Sequence, residues 1–337
     1  MSFGSEILLK VGVVLAFALN GAVIFTLMDV KASAWMQRRP GPLHVGLRGL
    51  IFPLAEVIKF IQKEDIIPTK VDKTIFKLAP AFVLFSVFGL FVVVPISPTL
   101  VVVDLNLGVF YLLAISTLST LGVLIAGWSS ANKYSLMGGL RAAGQLIAYE
   151  LPLILAVVGV VIQAETMSLV GIVEKQIEWG LPFVIAGQGI AFLIFMIAAT
   201  AEMMRVPFDM PIGESELVMG LMTEYSGIRF LIFYIAEYIN MFNMCAITAT
   251  FFLGGWLGPT FSNFLPPILS AFMPTIWLGV KTFALLFIYV WIRATLPRLR
   301  YDQLMELGWK RLIPISLIWL ILSSIVLGLR EFGLPWS

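Results

Sequence analysis

Apolar runs long enough to cross a bilayer as helix, roughly 17–25 residues each, recur at about 7–29, 78–97, 109–128, 145–164, 183–201, 229–253, 276–296 and 313–330. The pattern predicts an all-α polytopic membrane protein with eight transmembrane helices and long cytoplasmic loops, one integral domain over 1–337. Pro152, Gly159, Gly187 and Gly189 interrupt these runs, which membrane helices tolerate because neighbouring groups satisfy the freed backbone. Between the first two runs, in IFPLAEVIKFIQK (51–63), Ile51, Leu54, Ala55, Ile58 and Ile61 recur at helical spacing. That spacing predicts a short amphipathic helix along the membrane interface. It suits an ordinary surface helix, or the lip of an opening for a lipid-soluble substrate. Met1–Ser5 lacks a basic region, and no small-residue cleavage site follows, so the first run reads as a span rather than a cleaved signal.

Composition agrees. Hydrophobic residues make up 60% of the 337 residues and charged ones 12%, against roughly 45–50% and 25% in an average soluble chain. Mean hydropathy is +0.98, and lipid is the expected main solvent. The single cysteine, Cys245, excludes an internal disulfide and a cysteine-held iron–sulfur cluster. The single histidine, His44, sits alone in a loop. No GxGxxG phosphate loop is present, and the expectation is no metal and no covalent cofactor on this chain.

Charge sets the orientation. Of the 22 Lys and Arg, all but Lys10, Lys175, Lys281 and Arg330 fall in or at the edge of the odd-numbered loops. By the positive-inside rule those loops face the cytoplasm and both termini the periplasm. Basic residues confined to one side of a membrane give no reason to expect nucleic acid. The fifth loop breaks the rule's usual composition: Glu202, Asp209, Glu214, Glu216, Glu224 and Glu237 outnumber Arg205 and Arg229 between 200 and 240, while Glu150 lies inside the fourth span. An ionised carboxylate at helix centre costs roughly 2.5–3.5 kcal/mol on insertion scales, so such groups face a partner or a cavity. Each acid alone could be an ion-pair partner. As a group they read as a proton relay, because carboxylates crowded in low dielectric titrate in coupled, raised steps.

Several strings carry a family resemblance. WSSANKYSLMGGLRAAGQLIAYELP, beginning at Trp128, resembles the third cytoplasmic loop and fourth helix of the H subunit of respiratory complex I, the family of mitochondrially encoded NADH dehydrogenase subunit one. The PFD, ESELV and EYSG elements after Glu202 are similar to its acidic fifth loop, and WIRATLPRLRYDQLMELGWK (291–310) to its seventh. MQRRPGP (36–42) and KEDIIP (63–68) match loop one.

The resemblance implies a membrane subunit of a proton-translocating NADH–quinone oxidoreductase in a bacterial inner membrane, not active alone. Its substrate would be ubiquinone or menaquinone, with NADH and the iron–sulfur clusters on partner subunits of the hydrophilic arm. It places Trp35, Arg39, Lys59, Arg205 and Phe208 near the quinone path, and Glu150, Glu202, Asp209, Glu214, Glu216, Glu224 and Glu237 on the proton path. Asp302 and Arg300 would brace the seventh loop. The chain departs from many relatives in carrying Asp29-Val30-Lys31 for Glu-Arg-Lys, Ile212 where an acid is common, and Glu56 where Asp is common. A membrane anchor of a related hydrogenase or formate hydrogenlyase shares the spans but has weaker loop motifs. A stand-alone secondary transporter would show paired repeats and broken helices, which the sequence lacks.

Overall fold

The first apolar run folds as α1 (Phe3–Met36), and the chain turns away where Arg38 adopts a left-handed conformation (φ 57°) ahead of Pro40. This computed structural model describes residues 3–259 and 267–332. The amphipathic segment is α2 (Phe52–Ile61), with Pro53 in its first turn, where a missing N–H costs nothing. Helix α3 (Lys73–Leu90) starts on Asp72, whose carboxylate accepts from the N–H groups of Thr74 and Ile75. There follow α4 (Gly108–Ser129), α5 (Lys133–Ala164), α6 (Leu169–Trp179), α7 (Gly189–Glu202), α8 (Glu214–Leu217), α9 (Gly227–Phe252) and α10 (Pro267–Thr295). A π-helical turn, Leu307–Leu312, joins α11 (Tyr301–Glu306) to α12 (Ile313–Phe332) in one rod. Among the described residues there is no strand.

Among the described residues, seven helices are long and apolar enough to cross a membrane. The fifth predicted span, 183–201, differs: only Gly189–Glu202 is helical, 14 residues or about 21 Å at 1.5 Å per residue, short of a hydrocarbon core of roughly 30 Å. The preceding residues turn instead, with Gly187 at φ 113°. This irregular backbone survives because glutamines satisfy it. Gln176 Oε1 accepts from Phe183 N and Gln163 Nε2 donates to Ala186 O, while Gln188 Nε2 ties the turn to α5 by donating to Gly159 O. An apolar count could not separate Phe183, fully buried in a turn, from a helical residue. Span 145–164 is also longer than expected. Helix α5 begins at Lys133, capped by Asn132, so much of the third loop is helix.

The odd-numbered loops meet at one end of the bundle. Ile66 N donates to Ser226 Oγ, Asp72 N to Ser129 O, Asn132 Nδ2 to Glu224 Oε1, and Leu299 N to Pro207 O. Tyr225 stacks on Phe76 at 4.1 Å and fastens loop five to α3. The even-numbered loops meet at the other end, where Ser168 Oγ donates to Asp104 and Val184 N to Phe252 O. At the centre lies α9, packed on α1, α3, α7 and α10. Its best apolar window is 67% buried, against 17% for the last helix, which therefore offers its surface to lipid or to partners. Helices α4 and α5 cross backbone to backbone: a Cβ on Gly127 would lie 2.8 Å from the Cα of Gly139, the small-residue contact by which membrane helices associate.

Candidate functional site

At the end of the bundle where the odd loops gather, four segments bring charge together inside the protein. Asp29, near the end of α1, is 3% exposed. Arg293 of α10 donates to Asp29 Oδ2 at 2.5 Å, and the Tyr238 hydroxyl of α9 donates to the same oxygen at 3.1 Å. Arg205, just past α7, places Nη1 3.9 Å from that oxygen and Nε 2.7 Å from Glu237 Oε1 on α9. Its guanidinium lies over the Tyr238 ring at 4.8 Å, and Tyr234 and Tyr238 share a hydrogen bond of 3.1 Å. Burial pulls the Arg205 pKa down, but Glu237, Tyr238 and Asp29 together hold it above its ordinary value, so the guanidinium stays charged. Arg205 Nε and Nη2 are buried and make no hydrogen bond within the described residues, so Glu237 is held by charge at close range.

Three cavities adjoin this cluster. A polar one of about 250 Å³ is lined by Arg205, Asp209, Tyr234, Glu237, Tyr238 and Arg293 with Met and Ile neighbours. An apolar groove of about 290 Å³ runs between α1, α2 and α9, past Ala22, Pro53, Val57 and Phe60, and reaches Tyr234 and Tyr238. The groove and the polar cavity share those two tyrosines. A third, inner cavity of about 60 Å³ has Ser119, Glu202, Glu237 and Asn240 in its wall.

The family model of NADH dehydrogenase matches residues 9–324. The chain is 43% identical over 317 residues to the NADH-quinone oxidoreductase H subunit of Rubrobacter xylanophilus, covering 94% of each. It is 45% identical over 318 residues to an NADH-quinone oxidoreductase H subunit of Syntrophobacter fumaroxidans, covering 92% of each. Against the NADH-quinone oxidoreductase H subunit of Geobacillus kaustophilus it is 44% identical over 320 residues, 94% of this chain and 92% of the relative. The chain belongs to the NADH dehydrogenase H-subunit family. It is a multi-pass membrane protein of that family, all-helical in its described residues.

Of the residues that the family resemblance pointed to, the cluster collects Arg205, Asp209 and Glu237. Glu202 ends α7 in the inner cavity, and Glu150, on the neighbouring α5, lies within electrostatic range of it. Others sit apart. Glu216 is paired with Arg141 at 2.6 Å on the protein surface, and that hydrogen bond holds its carboxylate below the usual range. Glu224 accepts from Asn132. The expectation that bases are scarce around Glu214, Glu216 and Glu237 is corrected at the last two: Arg141 of α5 reaches Glu216, and Arg205, from the same stretch of chain, reaches Glu237. Trp35, 68% exposed, and the exposed Arg39 and Lys59 lie outside the polar cavity. Phe208 is buried against Tyr149 at 5.2 Å and faces away from it. The Glu214 side chain lies outside the described residues.

Sequence reasoning passed over Asp29, Arg293, Tyr234 and Tyr238. A signal was present for each. Asp29 is the one acid in the first apolar run beyond Glu6, and Tyr234, Glu237 and Tyr238 follow i, i+3, i+4 spacing, one helix face. Among the described residues, no group of His, Cys, Asp and Glu could hold a metal ion.

Proposed function

We propose that this chain is the membrane subunit of a proton-translocating NADH–quinone oxidoreductase of a bacterial inner membrane. It admits quinone between α1, α2 and α9, and carries protons along Glu237, Glu202 and Glu150. The names of its relatives favour this over a hydrogenase anchor. The observation that carries the reading is that the apolar groove and the charged cavity adjoin, with Tyr234 and Tyr238 in the wall of both. Ile58 and Ile61 of α2 are exposed, a stripe suited to the acyl boundary, while Pro53, Leu54, Glu56, Val57 and Phe60 line the groove. An isoprenoid tail fits such walls, and the Arg205 guanidinium in the wall of the polar cavity is a donor for a quinone carbonyl oxygen. Reduction to quinol consumes two electrons and two protons. The electrons come from iron–sulfur clusters on partner subunits, since this chain has one cysteine.

Filling the groove tests this. Val57→Trp should lower quinone-dependent NADH oxidation at least tenfold, or raise the quinone KM as much, while ferricyanide reduction by the same membranes stays intact. Unchanged quinone kinetics would remove the groove from the route.

Topology belongs to the same proposal. The turn at 183–188 together with α7 completes an eighth crossing, because 184 bonds the even-loop end and 207 the odd-loop end. Both termini then face the periplasm. A cysteine at exposed His44 should be labelled by an impermeant thiol reagent only from the cytoplasmic side, and one at exposed Asn106 only from the periplasmic side. Labelling of both from one side would refute the eight-crossing arrangement.

A further inference from the structure

Away from the charged cluster, a groove of about 510 Å³ lies between α3 and α4, and its walls change character along their length. Ile75, Leu78 and Phe82 come from α3 at i, i+3 and i+7, one helix face, and Ile125 and Trp128 from the end of α4. From Ile75 to Phe82 that apolar face runs about 10 Å at 1.5 Å per residue. At the odd-loop end stand Lys70, Asp72, Ser129 and Ala131, where loop one meets loop three as Asp72 N donates to Ser129 O. Lys133 opens α5 two residues beyond Ala131. The side chains of Lys70 and Lys133 have no ion pair or hydrogen bond among the described residues. The acids at this end are occupied. Asp72 Oδ1 accepts from the N–H groups of Thr74 and Ile75, and Glu224, arriving from loop five, accepts from Asn132. Trp128 is 74% exposed, an indole placed where membrane proteins carry aromatic side chains between headgroup and hydrocarbon.

We propose that this groove holds one anionic phospholipid, with an acyl chain along Ile75, Leu78, Phe82 and Ile125 and the phosphate at Lys70 and Lys133. A basic pocket between membrane helices at the loop end suits such a headgroup. A partner's membrane helix could cover the apolar wall, but it would have to bring a separate acid to the lysines. A phospholipid carries chain and anion in one molecule, in the order in which the walls present their partners. Two other apolar grooves lack this pairing. The groove beside α2 has an acid, Glu56, in its wall, which repels a phosphate. The groove between α7 and α10, past Leu193, Ile197, Ile288 and Leu296, has no charged side chain in its lining. Bound between α3 and α4, the headgroup bridges loop one to loop three and reinforces the contact of Asp72 with Ser129.

A benzoylphenylalanine photolabel in place of Phe82 tests this on the assembled complex, reconstituted in vesicles of equal parts phosphatidylglycerol and phosphatidylcholine. After illumination, the mass added to the α3 peptide reports which molecule lay in the groove. Phosphatidylglycerol adducts should exceed phosphatidylcholine adducts severalfold. Lys70→Gln together with Lys133→Gln should bring the two near equality. Lys77→Gln, which removes a charge from α3 outside the lining, should keep the excess. The photolabel in place of Ile125 is the second placement should the first variant fail to assemble. Equal labelling by both lipids with the lysines intact, or an excess that survives the loss of both lysines, would overturn the headgroup site. Loss of the excess in Lys77→Gln as well would replace the site with diffuse surface charge. Adducts to a partner subunit, or none with either lipid, would overturn the lipid as occupant.

Discussion

Arg205→Met is expected to deplete the assembled protein severely. This guanidinium is the hub at which α1, α9 and the segment after α7 meet, facing Glu237 at 2.7 Å and Asp29 at 3.9 Å. Asp29 keeps Arg293 after the substitution. Glu237 is left without a cation, and a buried charge stripped of its partner costs roughly 3–5 kcal/mol, a large share of a folding stability of about 5–15 kcal/mol. Arg205→Lys should lie between, because an ammonium keeps the charge but cannot contact Glu237 and Asp29 through separate nitrogens. The decisive variant is Arg205→Met with Glu237→Gln, in which both partners become neutral. It should recover assembly on native gels while quinone turnover stays low. Assembly of Arg205→Met at the normal level would show that the cluster is not what holds these segments together.

The contrast with Arg141–Glu216 shows how little distance alone says. That pair is as short, at 2.6 Å, yet Glu216 is half exposed, and exposed pairs are worth about 0–1 kcal/mol. It fastens the fifth loop to α5 without standing in either cavity that Glu237 lines. Glu237 differs because both it and its partner Arg205 are largely buried.

The membrane architecture was legible because hydropathy is a one-dimensional signal, and a bilayer makes it nearly sufficient. It failed at 183–188, where Gln163 and Gln176 satisfy a turn that an apolar run predicts as helix. The motifs found the family and drew notice to Arg205, Asp209 and Glu237. What they could not give is which acid meets which base. Asp29 and Arg293 are 264 positions apart and become partners only when α1 and α10 pack side by side. The apolar spacing of α2 marks an exposed face at Ile51, Ile58 and Ile61, whereas the groove is lined by Pro53, Leu54, Glu56, Val57 and Phe60, of which that spacing includes Leu54 alone. Lateral position in a bundle is a property of packing, and neither spacing nor charge along the chain encodes it.

Lys281 was legible as a charge within the seventh apolar run, and the structure shows what it does. It rises from α10 to the far end of α9, where its Nζ donates to the carbonyls of Leu253, Gly255 and Leu257 at 2.7, 3.0 and 2.6 Å. All three of its N–H groups have acceptors. The carbonyls converge because Gly254 and Gly255 take positive φ, 76° and 49°, and a cation there also faces the negative end of the helix dipole. Two effects compete in Lys281→Met. Removing the charge relieves an insertion penalty of roughly 2.5–3.5 kcal/mol. It also forfeits three charge-assisted hydrogen bonds of about 1.5–3 kcal/mol each and leaves buried carbonyls without a donor. The second effect is larger, so Lys281→Met should lower the thermal stability and the amount of assembled complex. Because this turn lies at the opposite end from the Arg205 cluster, the complexes that do form should oxidise NADH and pump protons at the normal rate. Wild-type thermal stability in Lys281→Met would mean that the glycine turn holds itself. A loss of turnover per complex would mean instead that Lys281 acts in the proton path.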